Sequence, residues 1–177
     1  MPPSVEMSTL TLPALVAFAV ALLITPLVRL LALRLGAVDA TGPRRTHARS
    51  VPRLGGVALL AALVAAFVAC RFASDAPLQV LTEHGWSLAW LALATAAMAT
   101  IGIVDDVRGL GVGAKLAGQL LAAGLVTAGG YGFATVTNPL TGGLIELGAF
   151  GVVFSLGWIL LITNAFNLID GLDGLAT

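Results

Sequence analysis

The sequence predicts an all-α protein: a polytopic bundle of about five membrane-spanning helices, forming one membrane domain over residues 1–177. Three observations carry that expectation. Hydrophobic residues make up 58% of the chain and charged residues only 10%, against about 25% charged in a soluble domain. The mean hydropathy is +1.00. The few charged residues gather between long apolar runs, as they do where each run must sit in hydrocarbon. Net charge is zero, so bulk electrostatics implies no nucleic-acid partner. Cys70 is the one cysteine; it excludes an intramolecular disulfide and reads as a buried packing residue.

The first run, residues 10–33, is apolar apart from Thr11, Thr25 and Arg29. At helical rise it reaches roughly 36 Å, enough to span with some tilt. Pro13 is expected in the first turn, where it is tolerated, and Pro26 is expected to kink the helix. Arg29 lies near the end and can snorkel. Glu6 precedes this run and the positive residues follow it. A cleaved signal peptide has the opposite order, so the segment reads as a retained first span with its N-terminus outside.

Residues 54–72 form the second span, and 73–85 a short polar loop with Asp75, Pro77, Glu83 and His84. Residues 86–104 form the third span, with Trp86 suited to the interfacial belt. The fourth, 116–130, is short and rich in Ala and Gly, which implies close packing against neighbours. The fifth covers 149–163. Between the last two, residues 133–137 alternate, 138–143 form a turn cluster and 144–147 can pair back, predicting a small outer β-hairpin near 133–147.

Placing the loops after spans one, three and five on one side gives that side Arg29, Arg34, Arg44, Arg45, Arg49, Arg53, Arg108 and Lys115. The other side has only Arg71. The positive-inside rule makes the first side cytoplasmic. Asp39, Asp105, Asp106, Asp170 and Asp173 fall there too.

Four polar groupings remain to be explained. Residues 164–176 read N-A-F-N-L-I-D-G-L-D-G-L-A, and polar groups beside an apolar run cost free energy when buried unpaired. Mg²⁺ prefers oxygen ligands and needs few from the protein when phosphates supply the rest, so the segment reads as one wall of a metal–phosphate site. Asn167, Asp170 and Asp173 recur every three residues, which on a helical turn is one face. The plain reading is a polar loop with turn glycines; an EF-hand would need more oxygen ligands at set spacing. Asp105-Asp106 are adjacent carboxylates that repel unless a cation sits near. They read as metal or phosphate-site groups, general base included, or plainly as a solvated helix end. Arg44, Arg45, His47, Arg49 and Arg53 make a basic loop. It either holds topology or binds a polyanionic substrate, since Arg forks suit diphosphate oxygens. Gly55-Gly56 beyond it allow close backbone approach. Lys115 is either a snorkelling lysine or a phosphate ligand. Acids for Mg²⁺, basic groups for phosphate and a lipid-embedded fold together imply phosphoryl transfer onto a lipid.

Three segments, in order and each after an odd-numbered span, resemble the polyprenyl-phosphate N-acetylhexosamine-1-phosphate transferases. They are residues 39–56, from Asp39 to Gly56; residues 102–115, with G-I-V-D-D and Lys115; and residues 164–176, similar to the family's N-A-x-N-x-x-D-G-x-D-G-L-A loop. P-R-L-G-G at 52–56 is more similar to the branch transferring GlcNAc-1-phosphate than to the phospho-N-acetylmuramoyl-pentapeptide transferase branch. The resemblance implies a bacterial inner-membrane, multi-pass enzyme with a cytoplasmic active site. It would transfer GlcNAc-1-phosphate from a UDP-N-acetylhexosamine to undecaprenyl phosphate and release UMP, with Mg²⁺ (Mn²⁺ as the alternative) on the diphosphate. It implies Asn167 as metal ligand, Lys115 on the diphosphate, Asp170 and Asp173 at the nucleotide and Asp105 as base with Asp106 beside it. Arg44, Arg45, His47 and Arg53 would bind substrate. A homodimer is left open.

Two departures stand out. Some family members carry Asn or Asp three residues after the aspartate pair, where this chain has Gly109. The family has roughly ten or eleven spans against five here, which predicts a fragment that is inactive as it stands. Rival readings fit less well. An intramembrane prenyltransferase needs a D-D-x-x-D motif, and a CDP-alcohol phosphotransferase needs D-G-x-x-A-R. A transporter or non-enzymatic membrane subunit would place ionisable groups near the bilayer midplane, whereas every acid here falls at a span end or in a loop.

Overall fold

A computed structural model of the chain describes residues 7–38, 52–73 and 76–170. They are mostly helical: α1 (Met7–Leu35), α2 (Gly55–Ala73), α3 (Ala76–Arg108), α4 (Val112–Ala128) and α5 (Ala149–Asp170). Strands β1 (Thr135–Thr137) and β2 (Leu144–Glu146) lie between the last two helices. Four helices carry stretches long and apolar enough to cross a membrane: Thr11–Leu35, Gly55–Ala73, Leu78–Arg108 and Ala149–Leu168. The expectation was five; α4, with 17 residues, is shorter than these. Only 6–17% of each long apolar window is buried within the chain, leaving outward-facing surface of the kind that lipid covers.

Some boundaries differ from expectation. α1 starts before Pro13, so that proline lies inside the helix, and α1 continues through Pro26 as well. α3 starts at Ala76 rather than near Trp86, because Pro77 suits a first turn and Leu, Gln and Glu favour helix through Glu83. Its break comes at His84, with φ −124° and ψ 18°. Cys70 is half-buried rather than buried.

The chain forms two compact units, Met1–Gly85 with Gly102–Gly109, and Trp86–Ile101 with Leu110–Thr177. In the first, α1 packs on α2. Gly36 ends α1 with a left-handed φ of +69°. Its N–H donates to the Leu33 carbonyl and that of Ala37 to the Ala32 carbonyl, at 3.3 and 2.9 Å, the paired bonds of a Schellman cap. A Cβ at Gly36 would meet no atom within 4 Å, so Gly36→Ala tests backbone strain alone. We expect a loss of about 1 kcal/mol, read as a lower thermal midpoint in detergent.

The chain then closes on itself. Val38 bridges Pro52 in antiparallel fashion, and the Arg53 N–H donates to the Ala37 carbonyl at 2.9 Å. Val28, Ala32, Ala37, Leu54 and Ala58 form a buried cluster, with Ile24, Val57 and Val107 against it. The end of α1, the start of α2 and the end of α3 therefore meet. α3 stops at Gly109, whose φ is +68° and whose N–H donates to the Asp105 carbonyl at 2.8 Å. The glycine that departs from the family pattern is thus a helix stop, a place for a residue tolerant of left-handed backbone.

In the second unit α4 lies close to its neighbours, as its small residues predict. A Cβ on Gly118 would come within 2.6 Å of Ile101, and one on Gly129 within 2.7 Å of Trp90. The expected hairpin is present. Thr135 pairs with Glu146, Val136 with Ile145 and Thr137 with Leu144. The Asn138 side chain accepts the Leu140 N–H at 2.9 Å, an Asx turn. The segment leading in is tied to α5 through buried Ser155, which accepts the Phe133 N–H at 2.8 Å and donates to the Gly151 carbonyl at 2.6 Å.

Candidate active site

In the first unit the predicted aspartate pair sits in the last turns of α3, and both acids are half-buried. Asp106 Oδ2 accepts the backbone N–H of Leu54 at 3.1 Å. The local sequence explains why a carboxylate is wanted there. Leu54 precedes α2, and its carbonyl accepts the Val57 N–H at 3.0 Å, so it occupies the N-cap position. A capping box would place Ser or Thr there and Glu three residues on, reaching back to the cap N–H. This chain has Leu54 and Val57, neither with an oxygen to offer. Asp106 supplies the carboxylate from another helix, at the positive end of the α2 dipole. Leu54 also has a φ of +73°, which costs an L-residue with a large side chain about 1–2 kcal/mol. Burial at 3% exposure and the bond to Asp106 hold it there. The end of the basic loop and the aspartate pair, 52 residues apart, are therefore joined.

Gly55 and Gly56 make no close approach within the described residues: a Cβ on either would meet nothing within 4 Å. Arg53 is half-buried beside Leu54. Arg44, Arg45, His47 and Asp173 lie outside the described residues. Asp170 ends α5, and its side chain lies outside them too.

In the second unit the site residues lie on two facing helices. Lys115 Nζ donates to Asn167 Oδ1 at 3.3 Å. One turn along, Asn164 Nδ2 donates to Gln119 Oε1 at 2.9 Å, and Gln119 Nε2 returns a weaker bond to Asn164 Oδ1 at 3.5 Å. Asn164 Nδ2 also donates to the Leu160 carbonyl at 2.9 Å. Gln119 is 4% exposed, so this exchange satisfies amides that would otherwise be costly among apolar side chains. The sequence does not draw attention to Gln119; the available signal is its position four residues after Lys115, one turn along the same face. These rungs also explain why α5 runs to Asp170 where a loop from Asn164 is expected. With the amide of Asn164 paired across to α4 and back to its own helix, nothing forces the helix to stop.

Lys115 stands in the first turns of α4. Gly111 is the N-cap of that helix and makes no side-chain cap bond, and the first turn has no acid. A cation there opposes the helix dipole, while uncapped N–H groups and an ammonium together suit an anion. Among the described residues no group of three or more His, Cys, Asp or Glu gathers as a metal cage.

A family model described as glycosyl transferase family 4 matches residues 87–177. The chain is 34% identical over 165 residues to the probable undecaprenyl-phosphate N-acetylglucosaminyl 1-phosphate transferase of Bacillus subtilis, an overlap covering 91% of this chain and 43% of that protein. It is 35% identical over 178 residues to the decaprenyl-phosphate N-acetylglucosaminephosphotransferase of Mycobacterium tuberculosis, covering 97% and 43%. It is 32% identical over 148 residues to the phospho-N-acetylmuramoyl-pentapeptide-transferase of Listeria monocytogenes, covering 77% and 44%. The chain thus spans less than half the length of these curated relatives, and no solved structure matches it. The family match takes in the aspartate pair, Lys115 and Asn167, and by that match this chain belongs to glycosyl transferase family 4.

Proposed function

We propose that this protein transfers a sugar-1-phosphate, in the first instance GlcNAc-1-phosphate, from a UDP-sugar to undecaprenyl phosphate and releases UMP. The observation that carries the reading is the Lys115–Asn167 pair, at 3.3 Å beside the uncapped start of α4, in a chain of this family. GlcNAc is favoured as the sugar because the named GlcNAc-1-phosphate relatives overlap 91–97% of the chain, against 77% for the muramoyl-pentapeptide relative.

In the reaction, an oxygen of the lipid phosphate bonds to the sugar-linked phosphorus, and the bond from that phosphorus to the bridging oxygen breaks. UMP leaves with the bridging oxygen. Lys115 and the first N–H groups of α4 hold diphosphate oxygens, and Arg44, Arg45, His47 and Arg53 add cationic donors. Asp170 and Asp173 bind the nucleotide. Asp105 takes the proton of whatever acceptor arrives as monoanion; with a second pKa of about 6, much of the acceptor needs alignment alone. Asn167 would hold Mg²⁺, or Mn²⁺ as the alternative, with the diphosphate supplying most of its ligands. Asn167 Oδ1 is a hard oxygen already accepting from a cation, and Mg²⁺ asks few ligands of a protein when phosphates supply the rest. When bound, the ion neutralises charge on the diphosphate.

This reading takes α4 as a fifth span. Its 17 residues rise about 26 Å, close to a bilayer core of about 30 Å. The N-terminus is outside and the chemistry cytoplasmic, on the strength of the Lys and Arg bias. The test is exchange of labelled UMP into UDP-GlcNAc by membranes from cells expressing the intact gene. We expect exchange that needs both Mg²⁺ and polyprenyl phosphate. Labelling no greater than in vector membranes rejects the reading, and exchange into UDP-MurNAc-pentapeptide instead moves the protein to the other branch.

A further inference from the structure

We propose that Asp106 is a positioning residue: its carboxylate fixes the Arg53–Leu54 peptide, and through it the end of the basic loop and the start of α2. Three observations support this. Asp106 Oδ2 accepts the Leu54 N–H at 3.1 Å. Leu54 is the one non-glycine residue with positive φ among the described residues, at +73°. It is also buried, in the cluster where α1, α2 and α3 meet. A strained residue persists only where its surroundings over-determine it. Here the surroundings are an apolar cluster on the side chain and a carboxylate on the N–H. Neighbouring Arg53 is tied by its own N–H to the Ala37 carbonyl at 2.9 Å, so two consecutive peptides are each held by a hydrogen bond. The adjacent acids thereby divide their work. Asp106 acts through the backbone of Leu54, and the reacting groups are left to its neighbour Asp105.

The chemistry of the anchor separates it from a proton acceptor. A carboxamide oxygen still accepts the N–H bond and gives up only the charge's attraction to the start of α2. Asp106→Asn therefore keeps the anchor and discards the base, whereas Asp106→Ala discards both. The first measurement uses the protein in inside-out vesicles and does not depend on the function proposed above. Trypsin cuts after arginine, and the Arg53–Leu54 bond carries the very N–H that Asp106 holds. Cleavage there is expected to rise tenfold or more in Asp106→Ala and to stay within twofold of the parent in Asp106→Asn.

The second measurement rests on the proposed transfer reaction. UMP exchange should fall at least 100-fold in Asp106→Ala, stay within tenfold of the parent in Asp106→Asn and fall at least 100-fold in Asp105→Asn. Absence of exchange in the parent condemns the reaction and leaves the proteolysis result to judge the anchor. Parent exchange with Asp106→Asn as inactive as Asp106→Ala overturns the positioning role, as does equal cleavage of parent and Asp106→Ala. If Asp106→Ala fails to reach the membrane, the Asp106→Asn result decides alone.

Discussion

Lys115→Met is expected to lower UMP exchange by about two to three orders of magnitude while the protein remains in the membrane at its normal level. Methionine keeps the length and apolar stem of the side chain and removes only the ammonium. In the free protein that ammonium donates to Asn167 Oδ1 at 3.3 Å, an exposed contact worth little to stability. In the proposed reaction it would face charge that grows on diphosphate oxygens as UMP departs. Removing a preorganised donor of that kind costs about 10²–10³ in rate. Lys115→Arg should recover part of the loss, because charge is kept while the planar fork changes geometry. The check is exchange measured at saturating UDP-GlcNAc. A Lys115→Met protein exchanging within threefold of the parent would remove Lys115 from the chemistry.

The largest stability effect is expected at Gly151. A Cβ there would overlap the Phe133 carbonyl oxygen, a backbone atom that no side-chain rotation can clear. Relief requires the Tyr131–Phe133 segment to move away from α5. That movement strains the bond from the Phe133 N–H to Ser155 Oγ, on a serine that is 1% exposed. Overpacking of this kind costs about 1–3 kcal/mol, and an unpaired buried hydroxyl or N–H adds to it. Gly157 is the internal control: it lies in the same helix, and a Cβ there meets nothing within 4 Å. Gly157→Ala should be neutral or slightly stabilising on helix propensity. Thermal unfolding in detergent compares the two, and equal midpoints for the alanine variants would show that the close approach of Phe133 to α5 is not made.

Local pattern was enough to predict the helices and the hairpin. Long apolar runs, charges confined between them and an Asn-Pro turn between β-prone segments each act over a few residues. Hydropathy and backbone preference are properties of the chain segment itself. The three polar segments were legible for the same reason, since clustered Asp, Asn and Arg beside hydrocarbon stand out in one dimension. What the sequence could not express is which polar atom meets which. The Asp106–Leu54 and Lys115–Asn167 contacts join residues 52 apart, and Gln119–Asn164 joins residues 45 apart. Each depends on which faces of separate helices are pressed together. That choice turned one acid of a repelling pair into a cap for a helix lacking its own. It made an unremarked glutamine the partner of a motif asparagine and carried α5 past the point where its composition suggests a loop. Composition determined that this chain is built of long apolar helices with its charges set between them. Packing decided where its polar atoms spend their hydrogen bonds, because a buried donor must be satisfied by whatever the fold brings near, however distant in sequence.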